Sequence, residues 1–99
     1  MADLRNLETF VWVAHLGGFR AAADKLNATQ PAVSQRIALL EAELGVKLFD
    51  REPRGISLTP KGRELLGYAE RMVQLRADMM QAAREKHAMR GVVRLGVAE

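Results

Sequence analysis

The chain has 99 residues, of which 48% are hydrophobic and 27% are charged. This composition supports one small domain, but not a pair of domains or an enzyme with a roomy internal cleft. The absence of cysteine excludes a disulfide framework, a thiolate zinc site and a cysteine nucleophile. No apolar run approaches the ~20 residues that span a bilayer, and the N-terminus lacks a signal-peptide pattern, so we expect a cytoplasmic protein without membrane contact. The formal net charge of +3 favours an anionic partner only weakly.

Apolar spacing predicts three helices, over Leu4–Leu16, Phe19–Asn27 and Gln30–Leu44. In each of them apolar residues recur three and four positions apart, which places them along one side of a helix. Glycines end the first and third helices, and Thr29-Gln30-Pro31 begins the third with a capping hydroxyl and a first-turn proline. The first helix is expected to be buried on two faces, one with Leu7, Phe10, Val11 and Ala14, the other with Trp12 and Leu16. The buried stripe predicted for the third helix consists of Val33, Ile37, Leu40 and Leu44.

A hairpin and a long helix are predicted next. Two short extended runs, Val46–Arg51 and Ile56–Leu58, flank a segment of turn residues. Thr59-Pro60 repeats the helix-start signal, and a fourth helix is predicted from Pro60 to about Lys86, with a length of about 40 Å. Such a helix is longer than the compact part of the chain, so we expect it to protrude.

The fourth predicted helix carries an apolar seam. Its members are spaced three and four residues apart, as in a coiled coil, and an exposed seam of this kind requires a partner. We expect the chain to dimerise through this helix. The expected dimerisation residues are Leu65, Tyr68, Met72, Leu75 and Met79.

Two short helices joined by a tight turn and followed by a basic hairpin are the parts of a winged helix-turn-helix. In that architecture the second helix of the motif enters the major groove of DNA and the hairpin touches the flanking backbone. The outward side of the third predicted helix begins with short hydrogen-bonding side chains where a merely solvated face would carry Lys and Glu, which suits close approach to base edges. The alternative is an ordinary amphipathic helix with an alanine-rich outer side.

Cations surround the proposed groove-facing end. Each could neutralise a phosphate, and such contacts supply affinity but not sequence choice. For any one of them, a solvated surface charge is the alternative, and Arg51 could instead be anchored to an acidic side chain. Arg54 is the favoured contact because the neighbouring Gly55 lets the hairpin tip approach the DNA. The seven candidates are Arg20, Lys25, Arg36, Arg51, Arg54, Lys61 and Arg63.

Many residues over nearly sixty positions match one family pattern. The matching residues are Gly17-Gly18-Phe19, Ala22-Ala23, Leu26, Thr29 through Ser34, Ile37, Leu40-Glu41, Leu44-Gly45, Leu48-Phe49, Arg51, Leu58-Thr59 and Gly62. At this spacing the sequence resembles the N-terminal DNA-binding region of LysR-type transcriptional regulators. The resemblance implies a bacterial repressor or activator that binds double-stranded DNA as a homodimer through antiparallel linker helices, with tetramers a further expectation for a full-length protein.

The resemblance also implies which residues touch DNA. The family's base-reading positions fall on Gln30, Pro31, Ser34 and Gln35, with Arg51 and Arg54 at the wing and Thr29 against the backbone. Gly18 stands where serine commonly caps the second helix, which implies a weaker cap. Gln35 stands where many relatives have arginine, and glutamine would favour adenine over guanine.

We therefore expect three segments: a winged helix-turn-helix over residues 1–59, a dimerisation helix over 60–88, and the start of a truncated effector-binding domain over 89–99. A small-molecule effector is expected for that domain and no cofactor for the rest. His15 and His87 lie far apart without ligand or base partners at suitable spacing, so we expect no catalytic residues, no metal site and no enzyme. The rival hypothesis is a protein-interaction module that pairs through the fourth helix and uses the winged motif for docking.

Overall fold

The structure, a computed structural model, describes residues 3–53 and 55–85. Its elements are α1 (Leu4–Leu16), α2 (Phe19–Leu26), α3 (Gln30–Leu44), β1 (Phe49–Glu52), β2 (Gly55–Leu58) and α4 (Pro60–Arg84). The strands form an antiparallel hairpin in which Phe49 pairs with Leu58 and Glu52 with Gly55. The predicted mainly helical fold, a winged helix-turn-helix followed by a long helix, is confirmed. The expectations for Arg54 and for residues 86–99 lie outside the described residues.

Side-chain hydroxyls begin the two helices for which the sequence predicted them. The Thr29 hydroxyl accepts the amide of Ala32 at 3.2 Å, and the Thr59 hydroxyl accepts the amide of Gly62 at 2.8 Å. Each bond satisfies one of the amides left free in a first helical turn. At the start of α2, Gly18 provides no such side-chain bond, and the weaker cap expected there stays a prediction.

The core lies where α1, α2 and α3 meet and extends under the hairpin. Its fully buried members include Val33, Ile37 and Leu40, as predicted for the third helix. The prediction for Leu44 is wrong, since this side chain is 40% exposed. Leu44 is the last residue of α3, and Gly45 turns the chain away directly after it with a left-handed φ of 74°. Its side chain therefore lies at the margin of the core.

Helix α1 is the central element because it packs against α2, α3 and α4. It is buried on more than one face, as expected, and Trp12 packs against the core, but the assignment of Leu16 to the second buried face is wrong. Thr9 and Val13 are fully buried, whereas Trp12 is half-buried and Leu16 is exposed. The Thr9 hydroxyl donates to the carbonyl of Arg5 at 2.8 Å, which satisfies its buried polar group.

The hairpin begins later than the apolar run suggested. The carbonyl of Leu48 still accepts the amide of Thr59, the residue opposite it in the hairpin register. The Leu48 amide, however, donates to Glu41, and the strand begins only at Phe49. Beyond the hairpin, every side chain of α4 from Gln74 onward is exposed, so the expected protrusion of this helix is confirmed. Within residues 3–53 and 55–85, no helix is long and apolar enough to cross a bilayer.

Candidate nucleic-acid interface

The outer side of the first turns of α3 is polar and uncharged. Gln30, Pro31 and Gln35 are exposed, and Ser34 is half-buried. Pro31 and Gln35 occupy the side of the helix opposite the buried Val33 stripe, and Gln30 and Ser34 flank that side, as expected from a repeat of 3.6 residues per turn. Short side chains of this kind allow another surface to approach the helix closely, and each of the three polar ones can donate and accept hydrogen bonds.

Arg51 of β1 lies directly beside this polar face. Its guanidinium Cζ lies 4.7 Å from the centre of the Phe19 ring, and its Nη2 donates to the Ser34 hydroxyl at 3.3 Å. The sequence left open whether this arginine would be anchored to an acidic side chain. Its described partners are instead an aromatic ring and a hydroxyl, so its positive charge is not neutralised by either of them.

The beginnings of α2 and α3 and the hairpin enclose one concave surface. Arg20, Gln30 and Arg51 all line it, so three of the predicted contact residues are brought together. Glu52 also lines this surface and accepts a hydrogen bond from the Ser57 hydroxyl at 3.3 Å. The two guanidinium groups outnumber this carboxylate, and the concavity therefore suits an anionic ligand such as a phosphate.

The other predicted cations are placed differently. The Lys25 ammonium lies 4.7 Å from the centre of the Trp12 ring. Lys61 pairs with Glu64 at 3.0 Å, but both side chains are more than half exposed, so this pair contributes little to stability. Arg36 is half-buried on the flank of α3, and Arg63 is exposed on the first turn of α4.

Two residues that position the interface were missed in the sequence. Phe19 was noted only as the first residue of the second helix and as part of the family match, yet its ring carries Arg51. Glu41 was noted only among the residues of the family match, yet one carboxylate oxygen accepts the amides of Leu48 and Phe49 at 2.8 and 3.4 Å. This contact ties the start of the hairpin to α3. Neither role follows from periodicity, because both depend on partners from another element.

The predicted seam on α4 divides into two parts. Leu65 is half-buried against the core of its own chain, so the expectation that it faces a partner is not supported. Farther along, Tyr68, Met72, Leu75 and Met79 are exposed, with Leu75 at 69% and Met79 at 64%. The last three of these and Leu4 line a shallow apolar groove beside Arg76. Large exposed apolar patches of this kind mark interaction surfaces.

His15 lies beside a carboxylate, although the sequence predicted no partner for it at a suitable spacing. His15 Nε2 lies 2.5 Å from a carboxylate oxygen of Glu70, which links the end of α1 to α4. Among the described residues, no group of three or more His, Asp or Glu side chains is arranged to hold a metal ion. The pair is therefore most simply understood as a contact between two helices.

Known proteins are similar to this chain in sequence and in fold. The chain is 48% identical over 80 residues to an uncharacterized HTH-type transcriptional regulator of Azotobacter vinelandii, a match that covers 81% of this chain and 56% of that protein. It thus spans just over half the length of that relative. In fold it is similar to the CbnR_DBD-DNA complex, with a TM-score of 0.79, 36% identity and coverage of 87% of this chain and 99% of that one. The BenM_DBD/catB site 1 DNA complex gives a TM-score of 0.81, 35% identity and coverage of 87% and 97%.

The family model for bacterial regulatory helix-turn-helix proteins of the lysR family matches residues 4–63. The match spans α1 to the first turn of α4 and includes every described element of the concave surface. The relatives are regulators rather than enzymes, in agreement with the expectation from sequence. The chain therefore belongs to the lysR family of bacterial regulatory helix-turn-helix proteins.

Proposed function

We propose that this chain binds duplex DNA sequence-specifically as the DNA-binding part of a bacterial transcription regulator. Helix α3 enters the major groove, and the hairpin lies against the flanking backbone. The observation that carries the proposal is the uncharged polar face of α3 beside Arg20 and Arg51 on one concave surface. Two similar solved structures, of CbnR_DBD and BenM_DBD, are DNA complexes, which supports the same ligand class.

The residues divide into two roles under this proposal. Gln30, Ser34 and Gln35 contact base edges, and Pro31 lies close to them. Phosphates are contacted by the amide-rich start of α3 at Thr29 and by the surrounding cations, because neutralising phosphates releases condensed counterions. These cations are Arg20, Lys25, Arg36, Arg51, Arg54, Lys61 and Arg63.

Two copies of the chain bind together through α4. The exposed apolar side chains of Tyr68, Met72, Leu75 and Met79 support this part of the proposal, because pairing them removes apolar surface from water. A homodimer of this kind places one recognition helix in each of two half-sites. Residues 1–59 then form the DNA-binding unit and residues 60–88 the dimerisation helix.

We propose further that the chain is the N-terminal part of a longer regulator. Residues 89–99 are the start of an effector-binding domain that takes a small molecule, and full-length chains assemble further into tetramers. The regulator acts in the cytoplasm, where its DNA is.

Selection from a pool of random duplexes tests the proposed function. The chain is incubated with the pool at moderate salt, and bound duplexes are amplified and sequenced over several rounds. The expected result is a pair of half-sites in inverted orientation whose centres are separated by whole helical turns. If the chain is folded and the pool nevertheless remains random after several rounds, the proposal of sequence-specific binding is overturned.

A protein-interaction module is the second candidate function. It is favoured by the exposed apolar groove along α4, which offers a surface for binding another protein in the absence of DNA. A gel shift with genomic fragments separates the two candidates. No shift with any fragment, together with dimerisation in sedimentation, would support the interaction module.

A further inference from the structure

An aromatic stack connects the core to the candidate reading face. The rings of Phe10 and Phe49, both almost fully buried, meet edge to face at 5.6 Å. Phe49 meets the half-buried Phe19 in the same way at 6.2 Å. The Arg51 guanidinium rests on Phe19 in turn. The arginine is thus held by a ring that is itself fixed by the core.

The contact between Arg51 and Ser34 has a defined direction. A guanidinium can only donate hydrogen bonds, whereas a serine hydroxyl has one hydrogen and two acceptor lone pairs. Ser34 must therefore be the acceptor in the 3.3 Å bond from Nη2. Its single hydrogen then points away from Arg51 and is available to a ligand, and one lone pair remains beside the guanidinium charge.

We propose that Arg51, held on Phe19, is a positioning residue that favours Ser34 as a hydrogen-bond donor and so biases which bases α3 accepts at one position. A donor matches the major-groove acceptors N7 of purines, O6 of guanine and O4 of thymine. It does not match cytosine, whose polar group in that groove is the N4 amino donor. Cytosine is therefore disfavoured at the position that Ser34 reads, because its amino donor would have to approach the remaining lone pair beside the Arg51 charge. This inference rests on the proposed DNA binding.

Removal of Arg51 releases the hydroxyl. In Arg51→Met the Ser34 hydroxyl can rotate and accept from the cytosine amino group, so discrimination against cytosine falls. Affinity for all sequences also falls, because one cation is lost. Arg63→Met is the matched control: it removes the same charge from α4 and should lower affinity while the discrimination is retained. Phe19→Leu keeps the charge but removes the ring face, and should reduce discrimination with an unchanged salt dependence.

The experiment measures dissociation constants by fluorescence anisotropy on the selected duplex. The position read by Ser34 is the one at which Ser34→Ala changes the base preference. We expect the wild type to bind cytosine there about tenfold more weakly than the best base, within the range of one good base contact. In Arg51→Met the dissociation constant for cytosine should be less than about threefold higher than that for the best base. Where a purine is preferred, its 7-deaza analogue should weaken the wild type and have little effect on Ser34→Ala.

Several results would overturn the inference. One is that Arg51→Met discriminates against cytosine as strongly as the wild type does. Another is that Arg63→Met loses as much of this discrimination as Arg51→Met, and a third is that the wild type prefers cytosine at that position. A Ser34→Ala variant with wild-type preference everywhere would also overturn it while leaving the proposed DNA binding intact. If the wild type itself selects no sequence, the proposed function fails and this inference fails with it.

Discussion

The α-carbon of Gly62 lies directly against the main-chain carbonyl of Leu48. A Cβ built at this position would overlap with the carbonyl oxygen and lie 3.0 Å from the carbonyl carbon. The same segment is bonded to the start of α4 through Thr59, whose hydroxyl donates to the Lys47 carbonyl at 2.6 Å and accepts from the Gly62 amide. Glycine at position 62 therefore lets the first turn of α4 pack against the chain that leads into the hairpin.

We expect Gly62→Ala to destabilise the fold. Alanine would gain about 1 kcal/mol in helix propensity, but the clash is with backbone and costs more, in the range of about 1–3 kcal/mol for overpacking. The control is Gly67→Ala, where the nearest atom is the flexible Arg71 Nη1 at 3.8 Å. Thermal unfolding should show a lower Tm for Gly62→Ala and an equal or higher Tm for Gly67→Ala. Similar shifts in both variants would contradict the close approach.

We expect Glu41→Ala to loosen the hairpin. The substitution leaves the amides of Leu48 and Phe49 without the carboxylate that accepts them, at a cost of about 1–3 kcal/mol. Glu41→Gln keeps an acceptor oxygen in the same place and should cost less. Urea unfolding of the two variants checks this difference. Equal stability of Glu41→Ala and the wild type would show that the contact does not hold the hairpin.

We expect the double substitution of Met72 and Leu75 by Glu to produce monomers. Each introduces a charge into the exposed apolar part of α4, where pairing would have to bury it without a partner. The control substitutes the exposed Gln74 and Ala77 by Glu, which adds the same charges on the other side of the helix. Sedimentation velocity should give monomers for the first variant and dimers for the second. A wild-type chain that is already monomeric would contradict dimerisation through the apolar seam of α4.

The sequence predicted the elements well because their signals are local. Threonine caps, the prolines at positions 31 and 60, and glycine stops act within one helical turn, and each lies where it was expected. The apolar stripe of α3 was right for its first three members and wrong for Leu44. The stripe gives the side of the helix on which a side chain lies, but it does not show how far along α3 the neighbouring elements extend to bury it.

The misses depend on contacts between distant residues. No spacing rule connects Glu41 to Leu48, or Phe19 and Ser34 to Arg51, because each contact depends on how the hairpin docks onto the helices. For the same reason Leu65 was placed in the seam, although it packs against its own core. The candidate contact residues came from the distribution of cations and from the family resemblance, and three of them, Arg20, Gln30 and Arg51, line one concave surface.

The proposed function assigns base reading to α3 and phosphate contacts to the cations. It is tested most directly by binding of Gln35→Ala and Arg20→Ala to the selected duplex and to a scrambled duplex across a range of salt concentrations. Gln35→Ala should lose about 1–3 kcal/mol on the selected duplex, relax one position in each half-site and leave scrambled binding unchanged. Arg20→Ala should weaken both duplexes alike and lower the salt slope by about one. Equal losses on both duplexes for both variants would contradict this division of roles.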